Sequence, residues 1–474
     1  MSKQKIRNRA TRRQFLGAAA AAATLTIVPR HVLGGPDVVA PSDKVNIAII
    51  GAGGQGRANA RSLFQEKDAQ IIAVCDVAQK TDLSGFYYGG SGGRQAVKAE
   101  VEEQYGKENS DFRCAEYEDF RVMLEKEKAI DAVLCATPDH AHAVVSITAM
   151  KLGKHVFCEK PLTHNIWEAR QVAKVAKETG VATQMGNHGH SGEGIRQTCE
   201  WIWDGAIGRV HTIHAGCRAV NSGIDALPQL KEQHEVPAHL DWDLWLGPAL
   251  DRPYCPAYLP GRWRGWVPFG NGTIGDWVCH VVDPVFWALD LGAPKAVLAE
   301  AKDYDPKTQG DAYPKGDRIT FEFPARGDRG PITMYWYSGT EPIPRAPDLE
   351  PDRKPVETGA FVLGDKGTIM YGSHGAGGVR IVPEAKMKEY QQPEKTIPRA
   401  KGHHQDWLQA IRSGGTAGSD FSYGGPLTEL AMLGVIAIKM LGTKLEWDAE
   451  RVQFTNCAEA NQFINPPYRK GWSL

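Results

Sequence analysis

The sequence of 474 residues has no excess of basic over acidic residues after residue 35. It also lacks closely spaced cysteine pairs and, after residue 28, any long apolar segment. The formal net charge is −1, but residues 1–35 hold seven basic residues and no acid, which leaves 48 basic against 56 acidic residues. This mildly acidic body argues against a nucleic-acid-binding surface, because phosphate contacts need clustered Lys and Arg. The nine cysteines include no C-x-x-C pair, so we interpret most of them as core residues rather than a zinc site or a disulfide framework.

The N-terminus has the pattern of an export signal. Arg12 and Arg13 precede an apolar run over 15–28, which is shorter than the roughly 20 residues that a membrane-spanning helix needs. Small residues at Gly34 and Gly35 follow, and the whole resembles a twin-arginine signal. We therefore expect a signal over 1–35, the twin-arginine export machinery as a partner, and a periplasmic or otherwise exported mature protein without stable membrane insertion. The alternative is a basic N-terminal helix that stays on the protein.

Alternating strand-like and helix-like segments in residues 43–186 predict a Rossmann domain, a doubly wound parallel sheet with helices on both faces. The predicted strands are 45–50, 70–75, 131–136, 154–158 and 181–185. Residues 187–474 contain an aromatic-rich segment over 242–287 and then short alternating runs, which predict a second α+β domain with an open, mainly antiparallel sheet. Two late helices, about 404–412 and 427–441, are expected in this domain, and they could pack back on the Rossmann domain.

A glycine-rich loop follows the first predicted strand and begins a helix, which is the context that gives G-x-G-x-x-G its meaning. Gly51 allows the tight turn, and Gly53 lets the backbone approach a pyrophosphate at the helix N-terminus. Gln55 and Gly56 complete the predicted cofactor-binding loop. Asp76 ends the next strand, where a carboxylate accepts hydrogen bonds from a ribose diol and repels a 2′-phosphate, so NAD is favoured over NADP. The alternatives are a purely structural glycine turn and an ordinary acid at a strand end.

Two further motifs end the later strands of the predicted sheet. Thr137-Pro138 is followed by His142, and Glu159-Lys160-Pro161 comes after the next strand. Together with the glycine loop, their order and spacing resemble the glucose–fructose oxidoreductase / inositol dehydrogenase (Gfo/Idh/MocA) family. The resemblance is clear over about 44–300 and continues more loosely to the C-terminus.

This resemblance implies the cofactor-binding and catalytic residues. Lys160 matches the lysine beside the nicotinamide and the reacting hydroxyl, and Glu159 matches the glutamate at the nicotinamide ribose. Asp276 and His280 match an Asp/His pair on one helical face, although Val278 stands where the family usually has glycine. The remaining cofactor contacts implied by the resemblance are Thr137, Pro138, His142 and Asn187.

The chemistry of these residue types agrees with the oxidation of an alcohol. His280 is the natural base because an imidazole titrates near neutrality. Lys160 could orient the hydroxyl, stabilise developing negative charge on its oxygen, or shuttle the proton. Asp276 is expected either to orient His280 or to bind a substrate hydroxyl.

The aromatic segment suits a carbohydrate, because sugar C–H faces stack on indole rings. Trp263 and Trp266 are predicted at the rim of the pocket, with core or subunit-interface packing as the alternative. His188 and His190 follow the last strand of the first sheet and are expected to contact substrate or cofactor. An H-x-H pair can bind a metal, but no third convergent ligand is evident, so no metal site is predicted.

The sequence therefore predicts an exported NAD-dependent oxidoreductase that acts on a hydroxyl of a sugar, polyol or glycoside. The alternative is a glycoside hydrolase that uses NAD for transient oxidation, elimination, hydration and re-reduction. A third reading is a sugar-binding module without catalysis, but that should have lost Lys160, Asp276 and His280. A periplasm has no free dinucleotide pool, so NAD is expected to be tightly bound. Homo-oligomers are expected because members of the family commonly pair through the second domain's sheet.

Overall fold

The computed structural model describes residues 43–474, so the predicted signal over 1–35 lies outside the described residues. The chain divides into two units, Met1–Lys44 and Val45–Leu474, and every contact described below lies within the second unit.

The first sheet has six strands, all parallel to their neighbours, in the order β3-β2-β1-β4-β5-β6. Ile50 at the end of β1 is paired with Cys75 on one side and Cys135 on the other, so the loops after three strands meet at one edge. This is the point where the strand order reverses, the usual ligand position in a doubly wound sheet. The predicted Rossmann fold is thereby confirmed. The strands are β1 (Val45–Ile50), β2 (Ala69–Cys75), β3 (Ala115–Tyr117), β4 (Ala132–Cys135), β5 (His155–Cys158) and β6 (Thr183–Met185).

Helices connect the strands of the first sheet, as parallel pairing requires. Their residues have the expected signals at the ends: Asn165 accepts a hydrogen bond from the Glu168 amide at the start of one helix, and Gly180 is left-handed (φ +67°) at its end. The helices are Gly54–Leu63, Arg94–Gly106, Phe120–Lys126, Asp139–Lys151 and Ile166–Thr179.

A small hairpin between β2 and the second helix lies over the glycine-rich loop. Its two strands are Thr81–Asp82 and Ser91–Gly92. The Gly93 amide donates to the Ala52 carbonyl (2.7 Å), and the Arg57 guanidinium donates to the Gly89 carbonyl (3.0 Å). These bonds fix the C-terminal side of the hairpin to the glycine-rich loop and its helix.

The second sheet has nine strands in the order β13-β12-β11-β7-β10-β9-β8-β14-β15. Neighbours are antiparallel except β7 and β10, so the predicted mainly antiparallel sheet is confirmed. The strands are β7 (Val210–Cys217), β8 (Ala296–Glu300), β9 (Gly316–Phe323), β10 (Ile332–Gly339), β11 (Gly359–Gly364), β12 (Thr368–Gly372), β13 (Arg380–Val382), β14 (Leu445–Asp448) and β15 (Gln453–Phe454).

Helices of the second region pack on this sheet and on the first. They are Glu193–Trp203, Trp242–Leu246, Gly272–Val281, Asp283–Ala288, Glu384–Glu389, His403–Ser413 and Phe421–Lys439, with short helical turns at Pro306–Gln309 and Ser373–Ala376. Phe421–Lys439 is the one helix of the described chain with the length and apolar composition to cross a membrane, and 83% of its most apolar window is buried in the protein. That burial is typical of a core helix. It begins six residues before the predicted start, because Asp420 caps it and Gly424 allows close contact with Met185.

The last helices lie against the first sheet. The His403 imidazole lies 2.7 Å from the Met185 carbonyl at the end of β6, and the Phe421 amide donates to the Thr183 hydroxyl (3.1 Å). Trp407 is completely buried within the apolar cluster that contains β1 and β5 residues. Residues from the C-terminal part of the chain thus complete the core beside β6.

Candidate active site

A cavity of about 1440 Å³ opens at the carboxyl edge of the first sheet. Pockets for drug-sized ligands have volumes of roughly 300–1,000 Å³, so this cavity is large enough for a dinucleotide and a second small molecule. One wall is made by the glycine-rich loop and the ends of β2, β4 and β5. The opposite wall comes from the second region and includes Asn221, Arg264, Asp276, Trp277, His280 and His374.

The glycine-rich loop has the form that a pyrophosphate needs. Gly51 is left-handed (φ +88°), and a Cβ there would lie 2.5 Å from the Ala136 carbonyl carbon. A Cβ at Gly53 would meet no atom within 4 Å, so the space over this residue is open. No side chain caps the helix that begins at Gly54, which leaves its first amides free for an anion. The loop therefore fits the phosphates of NAD.

Asp76 lies at the edge of the same cavity and also holds the loop. Its carboxylate accepts hydrogen bonds from the Ala52 amide (2.6 Å) and the Ala78 amide (2.8 Å). Burial raises the pKa of Asp76, against these two amides and the Arg94 cation. Arg94 itself is paired with Glu116 and Glu118, so acids already neutralise this nearby cation. A 2′-phosphate would meet the Asp76 carboxylate without a free arginine to balance it.

Glu159 connects the end of β5 to the helix after the glycine-rich loop. Its Oε1 accepts hydrogen bonds from the Asn59 amide (2.8 Å) and the Gln55 amide (3.0 Å), and the His188 Nε2 lies 3.5 Å away. Burial alone would raise the pKa of Glu159, but His188, Asn59 and the Lys160 cation outweigh it and hold the pKa below its usual range. Glu159 is therefore a carboxylate at the expected position, held rigidly by its neighbours.

His142 supports the strand ends. Its ring nitrogens lie 2.7 Å from the Pro161 carbonyl and 2.8 Å from the Thr137 carbonyl. Cys135, His142 and Cys158 place one potential ligand atom each within 4.8 Å of one another. Because both imidazole nitrogens of His142 already face carbonyl oxygens, this trio has no free nitrogen for a metal.

Lys160 and Asp276 meet across the cavity. The Lys160 ammonium donates to the Asp276 Oδ1 (2.5 Å), and the Arg264 Nε donates to the same oxygen (3.1 Å). The Asn221 amide donates to Oδ2 (3.0 Å). Burial alone would raise the pKa of Asp276, but the Lys160 and Arg264 cations outweigh it and keep the carboxylate ionised. The partly buried ion pair places the lysine of the first sheet against the helix Gly272–Val281.

His280 lies one helical turn after Asp276, on the same wall. Burial, then the Lys160 charge and the His374 ring, lower the pKa of His280 well below its ordinary value, so the imidazole is neutral. Its Nδ1 is buried and has no hydrogen-bond partner among the described residues. The Asp276 oxygens bond to Lys160, Arg264 and Asn221, so Asp276 positions Lys160 rather than His280.

Comparison with known protein families agrees with this geometry. Residues 45–187 match the model described as "Oxidoreductase family, NAD-binding Rossmann fold" of Gfo/Idh/MocA proteins, and residues 223–327 match that of the "C-terminal alpha/beta domain". The chain belongs to the Gfo/Idh/MocA oxidoreductase family. Its first sheet is accordingly the family's NAD-binding Rossmann domain.

Individual relatives of this Gfo/Idh/MocA chain are distant. It is 30% identical to levoglucosan dehydrogenase of Pseudarthrobacter phenanthrenivorans over 50% of each chain. It is 25% identical to a glycosyl hydrolase family 109 protein of Stenotrophomonas maltophilia, over 43% of this chain and 41% of that one. The chain spans half or less of the length of the first curated relatives that it matches. The crystal structure of GenD2 from gentamicin A biosynthesis in complex with NAD has the same fold, with a TM-score of 0.55 at 18% identity, over 89% of this chain and all of that one.

The structure corrects two expectations for the residues after β6. Asn187 is completely buried, and its amide donates to the Asp283 carboxylate (2.9 Å) instead of facing the cavity. His190 is also buried and lies 3.1 Å from both Asp283 oxygens. Neither side chain lines the cavity, so the predicted cofactor and substrate contacts are wrong for both. His188 does line the cavity, facing Glu159, so the two imidazoles of the H-x-H pair face different partners.

The structure places the two tryptophans that were predicted at the rim of the pocket in different surroundings. Trp263 lines the cavity, and the Arg264 guanidinium lies 4.2 Å from the centre of its ring. Trp266 is only 1% exposed, and its indole N–H donates to the Ala257 carbonyl (3.0 Å), so its placement at the rim is wrong. It packs in an aromatic cluster with Tyr258 and Phe269, the alternative that the sequence had left open.

Sequence reasoning missed several residues of this Gfo/Idh/MocA site. No role was predicted for Arg264, yet it shares Asp276 with Lys160. Asp139 lines the cavity, and its buried Oδ1 has no hydrogen-bond partner within residues 43–474. Burial raises the pKa of Asp139 to about 7 against the opposing Arg264 cation. Tyr88 of the hairpin donates to the Gln55 side chain (2.8 Å). His374 stacks on His280. The sequence signal that could have indicated a special role for His374 is the group of glycines on both sides of it, directly after a predicted strand.

Proposed function

We propose that this chain is an exported NAD-dependent oxidoreductase that acts on a hydroxyl of a sugar, polyol or glycoside. The observation that carries the proposal is the Lys160–Asp276 pair with His280 beside it, on the cavity that also contains the glycine-rich loop. Catalytic alcohol oxidation needs a hydroxyl-orienting cation and a base close to the dinucleotide, and these three residues supply both.

The chain's own residues have separate tasks in this reaction. NAD, when bound, supplies a two-electron acceptor for the hydrogen on the substrate carbon. Lys160 orients the hydroxyl and stabilises the negative charge that develops on its oxygen. Asp276 holds the Lys160 ammonium in place. His280, neutral before reaction, takes the hydroxyl proton.

A carbohydrate is the substrate class that the cavity favours. Trp263 lines the cavity wall but is only 8% exposed, with Arg264 over its ring, so an edge of the indole is what a sugar C–H group would meet. The relative named levoglucosan dehydrogenase acts, by that name, on an anhydrosugar. We propose a sugar or glycoside on this basis.

The proposed export requires a cofactor that stays bound to the protein. The hairpin residues Leu83, Phe86, Tyr87 and Tyr88 line the same cavity, and the Tyr88 ring packs on Gly54 of the glycine-rich loop. Release of a dinucleotide from beneath them would require the hairpin to move. We therefore propose that NAD is loaded before export and stays bound in the periplasm. Separately, we propose that the protein is a homo-oligomer, as expected from its family.

A redox glycoside hydrolase is the second candidate. Transient oxidation, elimination of the aglycone, hydration and re-reduction need more proton transfers than simple oxidation. The cavity wall offers further titratable groups besides Lys160 and His280, among them Asp139 and His374. One relative is named a glycosyl hydrolase family 109 protein.

The deciding experiment has two steps. Mass spectrometry of the cofactor released by denaturation identifies the dinucleotide, and the native protein is then given matched free sugars and chromogenic glycosides. A ketosugar with stoichiometric NADH indicates the dehydrogenase, and free sugar without net NADH indicates the hydrolase. The Lys160→Ala variant is the matched control, and sugar oxidation that survives in it unchanged would refute the assigned site. Light scattering of the same preparation measures the oligomeric state.

A further inference from the structure

His374 has a backbone conformation that a residue with a side chain rarely adopts. Its φ is +56°, and the next two residues, Gly375 and Ala376, have φ of +82° and +61°. Non-glycine residues in this region are strained and persist only where their surroundings hold them. Such strain is concentrated at active sites, so the turn Ser373–Ala376 needs a functional explanation.

Backbone segments of the same chain pack closely against the strained turn. A Cβ at Gly189 would lie 2.2 Å from the His374 carbonyl carbon, and a Cβ at Gly194 would lie 2.3 Å from the Ala376 carbonyl oxygen. Glycine at both positions lets the turn approach the backbone after β6 closely. The turn is thereby fixed at the end of the first sheet, beside the reacting centre.

The imidazole of His374 stacks on that of His280. The ring centres are 4.3 Å apart with an interplanar angle of 26°, and Trp277 contacts the His374 ring at 5.5 Å. Nδ1 of His374 lies 2.8 Å from the Ser373 hydroxyl. Nε2 of neither imidazole has a hydrogen-bond partner in the described part of the chain. His374 is exposed whereas His280 is 7% exposed, so His374 stands between the buried ring and solvent.

Two imidazolium ions at this separation would repel each other, so the stacked pair carries at most one positive charge near neutral pH. The groups that face the pair are Lys160, Asp276, Glu159 and His188. Lys160 adds to the repulsion, and the Asp276 carboxylate opposes it. A proton taken up by His280 therefore has a neighbouring ring that favours its rapid release.

We propose that His374 is a second catalytic imidazole, which pairs with His280 to accept the substrate's hydroxyl proton and releases that proton to solvent. The inference rests on the proposed alcohol oxidation. The O–H bond breaks and an N–H bond forms on His280, while the C–H electron pair leaves as hydride to NAD and the carbonyl forms. The nitrogen lone pairs of stacked rings do not face one another, so a water molecule carries the proton from the His280 imidazolium to the exposed His374 ring. His374 then gives the proton to bulk water, which restores the neutral pair.

The test uses variants that keep the left-handed backbone. His374→Asn removes the titrating ring, and asparagine tolerates positive φ. We expect kcat to fall about 10- to 100-fold with little change in KM, less than for a sole base because His280 remains. The acidic limb of the pH profile should also move to higher pH, because His280 loses the adjacent ring. Ala376→Gly relieves strain without removing the imidazole and should have wild-type kinetics.

Two further measurements separate catalysis from structural support. Added imidazole should restore turnover to His374→Gly, which leaves space for the missing ring. NMR titration of the histidine rings in protein without substrate should show the His280 midpoint at higher pH in His374→Asn. A His374→Asn variant with wild-type kcat and pH profile, or a slow variant with neither rescue nor a shifted profile, would overturn the proposal. Failure of the proposed function would look different, as wild-type protein without NAD-linked turnover of any sugar.

Discussion

Replacing Asp276 by asparagine tests whether the ion pair across the cavity positions the reacting lysine. In the structure, Oδ1 accepts from both Lys160 and Arg264, and Oδ2 accepts from Asn221. An asparagine keeps the shape but presents an NH₂ group to one set of these donors. It also removes the one carboxylate that both cations share. Lys160 would then have only neutral acceptors, the amide oxygen at best and the main-chain carbonyl of residue 276, which is 3.3 Å away.

The size of the effect follows from how far Lys160 can move. Opposite charges about 3 Å apart attract by roughly 5 kcal/mol at an effective dielectric constant of 20, although desolvation offsets much of this. Without that attraction the long lysine side chain can turn away, and a misplacement of about 1 Å typically costs a factor of about 100 in rate. We expect kcat for Asp276→Asn to fall about 100-fold, or about 2.7 kcal/mol in activation free energy, with NAD content unchanged.

The assay is steady-state NADH formation with the best substrate of the sugar panel, together with the NAD content of each preparation. Lys160→Ala and His280→Ala should lose about 10²- to 10⁴-fold, because the first removes the cation that stabilises the developing oxyanion and the second removes the base. Asp290→Asn, which alters a surface pair with Arg326, is the matched control and should behave as wild type. A kcat within threefold of wild type for Asp276→Asn would refute the positioning role.

Three further substitutions test other parts of the molecule. Asp76→Ser should weaken NAD binding and relax discrimination against NADP, measured as the ratio of the two dissociation constants by direct titration; an unchanged ratio would contradict the assigned role. Asp283→Asn should lower the free energy of unfolding in urea by about 3 kcal/mol, because a buried carboxylate that bonds to His190 is lost. Since the folded pKa of Glu159 is depressed, its carboxylate contributes stability above pH about 4.3, and that contribution disappears as the pH falls further. Glu159→Gln should therefore flatten the acid limb of the stability profile, and an unaltered limb would count against the network around it.

The parts of this molecule that the sequence predicted are those set by neighbours along the chain. The glycine-rich loop, Asp76, Glu159 and Lys160 all sit at ends of buried strands, where apolar runs and turn residues define the position. Because parallel strands end at one edge, their convergence on one cavity followed from the fold class. The strand β1 was predicted with its observed bounds.

The errors have a different physical origin. Asn187, His190 and Trp266 occupy the expected segments, but their side chains face inward, toward Asp283 or an aromatic cluster. A loop or irregular turn has no fixed periodicity, so the direction of a side chain there depends on tertiary contacts. His374 was missed for the same reason, since it reaches His280 only through the fold of a distant turn.

The contacts of the last helices with the first sheet constrain the order in which the protein can be made. Trp407 fills the apolar core beneath β1 and β5, and residues after 400 hydrogen-bond to all of β6. A nascent chain that has produced only the dinucleotide domain still exposes this surface. The domain acquires its final packing only after more than 400 residues have left the ribosome. A dinucleotide domain with its final packing is therefore available to NAD only once synthesis is nearly complete.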